Sequence, residues 1–297
     1  MEHIDGNWFR EENDKWSGYS IGIEIERILY FEKTEHQEIL VIKSKSFGNV
    51  LVLDGVISAA ERDEFTYLEM MANLPLNCHP KPEKVLVVGA GGGGVVKEVL
   101  KHESVRKVVA CEIDKKVVDV CQKYFPSLAQ DYDDDRVELF IANGAHYMKE
   151  HSEEFDVIIT DSCFEGPGEG LFTDGYFKSM KRALKQDGVL CFQGENMFIE
   201  LPLIKEMMTI SRKIYPKVEF GYSVQLTVNG GHFGFILCSL NKDTSFKEPL
   251  KKYTDEEIEE MNFKFYNADI HRACFSLPNF VKKELYRDAV IEQYTSI

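Results

Sequence analysis

The chain has 297 residues, 44% of them hydrophobic, and a formal net charge of -15, enough for one large domain or two unequal ones around a sizeable core. The acidic balance argues against nucleic acid, whose phosphates need Lys and Arg, and suits a small cationic substrate. No apolar run reaches the ~18 residues that span a bilayer, the opening MEHIDGNWFREEND reads as neither signal nor transit peptide, and the seven cysteines form no CxxC pair, so a reduced cytoplasmic protein without structural zinc is expected.

From Ile21 to Ala60 the pattern alternates in IGIEIERILYF, QEILVIKS and NVLVLDGVIS, which predicts an antiparallel meander or small barrel. ERDEFTYLEMMANLPL then takes helical spacing, with Phe65, Leu68, Met71 and Ala72 on one face. Pro80 and Pro82 mark a boundary between an N-terminal β domain with its connecting helix, 1–80, and a second domain, 81–297. Beyond Lys84 the rhythm is strand, turn, helix, with strands at KVLVVG, KVVACE, RVELFIA, FDVIIT, GVLCFQG, KVEFGYSV and FGFILCSL. Helical patterns such as KKVVDVCQKYF and DGYFKSMKRALK fill the gaps. The fold class is therefore α/β, a doubly wound, mostly parallel sheet behind a small antiparallel β domain. Two short helices are expected near the end, at TDEEIEEMNFKFY and LPNFVKKELY.

Ligands of such sheets bind beyond the carboxyl ends of the strands. Three loops there carry chemistry. Gly89 to Gly94 allow close backbone approach to a ligand and positive φ, although their spacing is not GxGxxG. Glu112 ends the second strand, placed to accept hydrogen bonds from both ribose hydroxyls. Asn143, beside Gly144, follows the third strand, where an amide reads the adenine amino group. Together they predict an adenosine site. No Walker Lys-Ser/Thr supports ATP, and no hydride-transfer partner stands out for a nicotinamide.

Several longer stretches carry a resemblance: WFREEND with WSG, HQEILVIKSKSFGNVLVLDGV, ERDEFTYLEMMANLPL, CEID, FDVIITDS, LKQDGVLCFQGE, GFILCS and FYNADIHRACFSLP. Over nearly its whole length the chain resembles the spermidine synthases, the polyamine aminopropyltransferase family. The resemblance implies a Rossmann-like methyltransferase-type domain behind the β domain, a homodimer, and no metal. It implies aminopropyl transfer from decarboxylated S-adenosylmethionine to putrescine, releasing methylthioadenosine. Gln37, Gly89, Gly91, Gly92, Glu112, Asn143, Gly144 and Asp161 fall at cofactor positions, and Tyr67, Asp161, Gln193 and Glu195 match the family's substrate end.

The cation-binding half departs from the pattern. An aspartate that grips the aminopropyl ammonium is Gly92 here. The second aspartate of the Asp-Ser-Ser-Asp-Pro loop, a general base, falls on Phe164, with Glu165 as a stand-in. The aspartate holding the far amine is Pro202, near Glu200, and a positioning tyrosine is Val228. Losing carboxylates disfavours a buried dication and removes repulsion toward the carboxylate of ordinary S-adenosylmethionine. Plant putrescine N-methyltransferases resemble spermidine synthase and lack the same aspartate. Three readings follow. The first is an S-adenosylmethionine-dependent N-methyltransferase acting on a small amine other than putrescine, with Asp161, Tyr67 and Glu165 handling the acceptor and Glu200 a cationic group. The second is an aminopropyltransferase with altered acceptor choice. The third is a catalytically silent partner subunit.

Overall fold

The computed structural model describes residues 3–13, 16–162 and 172–294, with side chains through Arg287. Six antiparallel strands open the chain: β1 (Ile4–Asp5), β2 (Trp8–Glu12), β3 (Ser20–Lys33), β4 (Glu38–Ser44), β5 (Asn49–Leu53) and β6 (Val56–Ala60). Each pairs with its sequence neighbour, so the sheet is the expected meander, with β1 and β6 as its edges rather than closed into a barrel. NVLVLDGVIS, read as one run, is two strands. Asp54 and Gly55 between them take positive φ, 48° and 81°, the combination that reverses a two-residue hairpin. The earlier pair β1–β2 was not foreseen. One face of the sheet buries Phe9, Ile23, Leu40, Ile42, Val50 and Val52, and Ile39, Val41 and Leu51 on the other meet Val117, Val120 and Cys121 of the next unit.

Helix α1 (Glu64–Leu76) leads into a seven-stranded sheet of β7 (Lys84–Val88), β8 (Lys107–Glu112), β9 (Val137–Ile141), β10 (Phe155–Thr160), β11 (Leu184–Gly194), β12 (Lys217–Val224) and β13 (His232–Ser239). Its order is β12-β13-β11-β10-β7-β8-β9. β7 to β11 run parallel, and β13 and β12 add antiparallel strands at one edge. The central strands β7 and β10 are buried almost throughout, which is why they read as unbroken apolar runs. Around the sheet lie α2 (Gly94–Leu100), α3 (Lys115–Tyr124), α4 (Pro126–Ala129), α5 (Gly144–Lys149), α6 (Asp174–Ala183), α7 (Leu201–Ile214), α8 (Asp255–Glu260), α9 (Ala268–Ala273) and α10 (Asn279–Tyr294).

Two expectations are corrected. Helix α1 has no single apolar face: from Glu69 to Leu76 every residue is buried, because α2, the sheet and the C-terminal segment enclose it. TDEEIEEMNFKFY is helical only over α8. A Thr254–Glu257 capping box starts that helix, Asn262 follows it at φ 50°, and the next backbone N–H groups turn to Glu69.

Candidate active site

The chain leaves β7 for β8 and β9 on one side and later builds β10 and β11 on the other, so the switch point lies between the ends of β7 and β10. Gly89 follows β7 at φ 78°, and a Cβ there would lie 2.0 Å from the Asp161 carbonyl oxygen. Asp161 N–H donates to the Val88 carbonyl at 2.7 Å. Only glycine lets these strand ends converge so tightly. In the following turn Gly91 N–H donates to Glu112 Oε2 at 2.9 Å, and a Cβ on Gly91 would lie 2.8 Å from that oxygen. Asp114 N–H donates to Oε1 at 2.9 Å, so the loop fixes both oxygens of the buried Glu112. Burial raises this carboxyl above its ordinary range against those hydrogen bonds. A Cβ on Gly144 would lie 2.3 Å from Val88 Cγ1.

Gly92 differs from its neighbours. Its φ is not positive and an added Cβ would meet nothing within 4 Å, whereas Gly89, Gly91, Gly93 and Gly94 are all crowded. Asn143 stands next to the end of β8, since Ala142 N–H donates to the Glu112 carbonyl at 2.8 Å. Its side-chain oxygen caps α5, accepting from Ala145 N–H at 2.9 Å and His146 N–H at 3.2 Å. Gln37 reaches the same end of the sheet and donates to Asp114 Oδ2 at 3.3 Å.

Tyr67 from α1 meets Asp161 at the end of β10, its hydroxyl donating to Oδ1 at 2.6 Å. The tyrosine ring is held against Phe233 and Phe235 of β13, with centroids 5.0 and 5.8 Å away. Burial lifts the Asp161 carboxyl from 3.8 to about 6; the Tyr67 hydrogen bond opposes the rise and the Glu112 charge adds to it. A carboxylate so shifted is a better proton acceptor than an ordinary one.

The remaining candidates lie along the ends of β11 and β13. Gln193 pairs with Phe235 across the ladder, and Glu195 follows β11 directly. Glu200 precedes α7, its N–H donating to the Asn196 carbonyl at 2.8 Å, and Pro202 is exposed in that helix's first turn. Val228 is buried in the β12–β13 connection. Thr227 anchors that connection to Asp63 through its N–H at 2.8 Å and its hydroxyl at 2.9 Å. Asn229 donates to Glu11, Asn196 donates to the Asn229 carbonyl, and Gly230 N–H donates to the Tyr19 hydroxyl at 3.2 Å. The structure thus brings Tyr67, Asp161 and Gly89 together, and Glu112 with Gly91. Glu200 and Val228 stand on other segments, before α7 and in the β12–β13 connection. Glu165 and Phe164 lie outside the described residues.

Sequence reasoning missed the groups that hold the loops. The Tyr132 hydroxyl, from an acidic stretch without a motif, donates to the Ala90 carbonyl of the glycine turn. Asp114 offered a signal within CEID, the short polar residue that starts a helix, and its side chain caps α3. Among the described residues no group of three or more His, Cys, Asp or Glu is placed to hold a metal ion, and no helix is long and apolar enough to cross a membrane.

Residues 64–248 match the family described as spermine/spermidine synthase domain, and residues 7–61 match the spermidine synthase tetramerisation domain. The chain is 46% identical to a spermidine synthase of Dictyostelium discoideum over 96% of its own length and 99% of the relative's. It is 41% identical to one of Schizosaccharomyces pombe over 94% of each. A crystal structure of a spermidine synthase in complex with the transition state analogue AdoDATO superposes with a TM-score of 0.87 at 35% identity, covering 95% of this chain and 96% of the other. With the switch-point loops, the Tyr67–Asp161 pair and the two-sheet fold all in place, the chain belongs to the spermine/spermidine synthase family.

Proposed function

We propose that this protein is a cytoplasmic aminopropyltransferase that takes decarboxylated S-adenosylmethionine as donor and a small amine as acceptor. The Tyr67–Asp161 hydrogen bond at the switch point, with the carboxyl lifted to about 6, carries the reading. The nucleoside rests on Glu112, Asn143 and the glycine turn. The acceptor's ammonium gives a proton to the Asp161 carboxylate, and the lone pair this frees attacks the propyl carbon next to sulfur. The N–C bond forms, the C–S bond breaks with its electron pair going to sulfur, and neutral methylthioadenosine leaves. Catalysis is then mainly alignment of amine and carbon at ~3 to 3.5 Å plus proton removal.

The spermidine synthases at 46% and 41% identity support aminopropyl transfer over the methyl transfer that Gly92 first suggested. Gly92 still leaves open space where an acidic side chain fits, and that observation makes donor choice the quantity to measure. Incubation with each sulfonium donor and a panel of amines, read by mass, tests the proposal. Aminopropyl products are expected; methylated amines alone, or no product with any pair, would reject it. The match of residues 7–61 supports a homo-oligomer built on the N-terminal sheet, and light scattering separates dimer from tetramer.

A further inference from the structure

The turn between β3 and β4 belongs to the N-terminal sheet, yet it touches the nucleoside end of the other sheet. Thr34 is its centre. The Thr34 hydroxyl accepts from His36 N–H and Gln37 N–H, both at 3.0 Å, and lies 2.8 Å from Asp114 Oδ2. A hydroxyl has one proton. The Gln37 carbonyl at 3.1 Å is the other acceptor in reach, and the shorter contact to an acidic oxygen takes the proton. Gln37 Nε2 adds a longer bond to the same oxygen at 3.3 Å. Asp114 is buried, and its other oxygen accepts from Lys116 N–H at 2.9 Å, starting α3. Its own N–H donates to Glu112 at 2.9 Å. A continuous path therefore runs from a hairpin turn of one sheet, through one aspartate, to the carboxylate that faces the ribose position.

We propose that Thr34 and Asp114 are positioning residues for the nucleoside: the β3–β4 turn holds Asp114, and Asp114 holds the Glu112 carboxylate at the angle that receives the ribose hydroxyls. The proposal rests on Glu112 as the ribose contact. It adds Thr34 to Gln37 as a residue through which the N-terminal sheet shares in donor binding. Asp114 cannot turn without losing three partners, so Glu112 keeps its N–H bond and its orientation before any ligand arrives.

The test is calorimetric titration of the full-length protein with methylthioadenosine and with its 2′-deoxy and 3′-deoxy counterparts, alongside steady-state kinetics. Thr34→Val keeps shape and removes the hydroxyl. It is expected to weaken methylthioadenosine by about tenfold, the size of one charge-assisted hydrogen bond. It is expected to raise KM for the sulfonium donor with KM for the amine unchanged, and to shrink the preference for the ribose over the deoxyribose ligands. Thr34→Ser is expected to restore all three. A merely structural defect would weaken ribose and deoxyribose ligands alike, and that result overturns the proposal. Glu112→Gln separates the two layers of argument. If it loses methylthioadenosine while Thr34→Val binds as the wild type, the positioning role falls and the ribose contact stands. If Glu112→Gln binds as the wild type, the ribose contact falls and the positioning role with it. Should Thr34→Val fail to fold, Asp114→Asn carries the same comparison, since it keeps the backbone N–H and removes the charge that receives the turn.

Discussion

At the scale of single residues, two features set the chemistry. In the proposed mechanism Asp161 must be ionised to take a proton, so turnover is expected to rise with pH through about 6, its raised value. Tyr67 stabilises the charged form, so Tyr67→Phe is expected to move that limb to higher pH and to lower kcat modestly. Asp161→Asn is expected to cost ~10² to 10⁴ in kcat. A pH–rate profile of the three proteins decides this, and an unchanged limb in Tyr67→Phe would contradict the pairing. The second feature is the contrast between two glycines that look alike in the sequence. Gly89→Ala puts a methyl 2.0 Å from a carbonyl oxygen at positive φ, so it should lose every nucleoside ligand. Gly92→Asp enters open space and should leave methylthioadenosine binding unchanged. It should weaken S-adenosylmethionine by ~1 to 4 kcal/mol through carboxylate repulsion and strengthen the decarboxylated donor. Calorimetry with the three ligands reads the pattern, and loss of methylthioadenosine by Gly92→Asp would contradict it.

At the scale of elements, α1 carries Tyr67 into the site and is itself fastened from outside. Glu69, 1% exposed, accepts from Lys264 N–H at 2.9 Å with one oxygen, and from Phe265 N–H at 2.9 Å and Tyr266 N–H at 2.8 Å with the other. Those three donors lie in a non-helical segment with no strand partner, which explains why a buried glutamate is tolerated inside a helix. Glu69→Ala leaves them unsatisfied and should destabilise the fold by ~2 to 5 kcal/mol, read by urea unfolding. A loss under ~1 kcal/mol would mean that water replaces the clamp. The existence of α1 was legible because its residues favour helix. Its burial on all sides was not, since the polar Glu69, Asn73 and Asn77 are covered only once the C-terminal segment packs over them. The strands of the large sheet were legible for a matching reason: buried parallel strands are continuous apolar runs.

At the scale of the whole molecule, the two sheets meet through buried acids. Glu11, 4% exposed, accepts from Ile57 N–H at 2.8 Å and from Asn229, and burial pushes it from 4.5 up to about 7; Glu64, half-buried at the start of α1, also rises to about 7. A carboxyl raised on folding stays protonated in the native state where the unfolded chain has already released its proton. Its contribution is full below pH 4.5 and is lost as pH climbs through 7. Asp134 and Glu248, paired with Arg136 and Arg272, are lowered to about 2 and lose their contribution only in stronger acid. The melting temperature should therefore be higher near pH 5 than at pH 8, and Glu11→Gln should narrow the difference. Thermal unfolding across that range checks it, and a protein more stable at pH 8 would refute it. By itself the sequence determined the two-sheet architecture, most strands, the glycine turn and the family, because each is written in local periods or short motifs. Only the tertiary structure decided which glycine is open, which acid is lifted, and how the N-terminal sheet reaches Asp114. Those properties depend on pairs far apart in the chain: Tyr67 and Asp161 are separated by 94 positions, Thr34 and Asp114 by 80, and Glu11 and Asn229 by 218. No local pattern encodes such contacts, since they exist only once the sheets have closed on one another and excluded water from the groups between them.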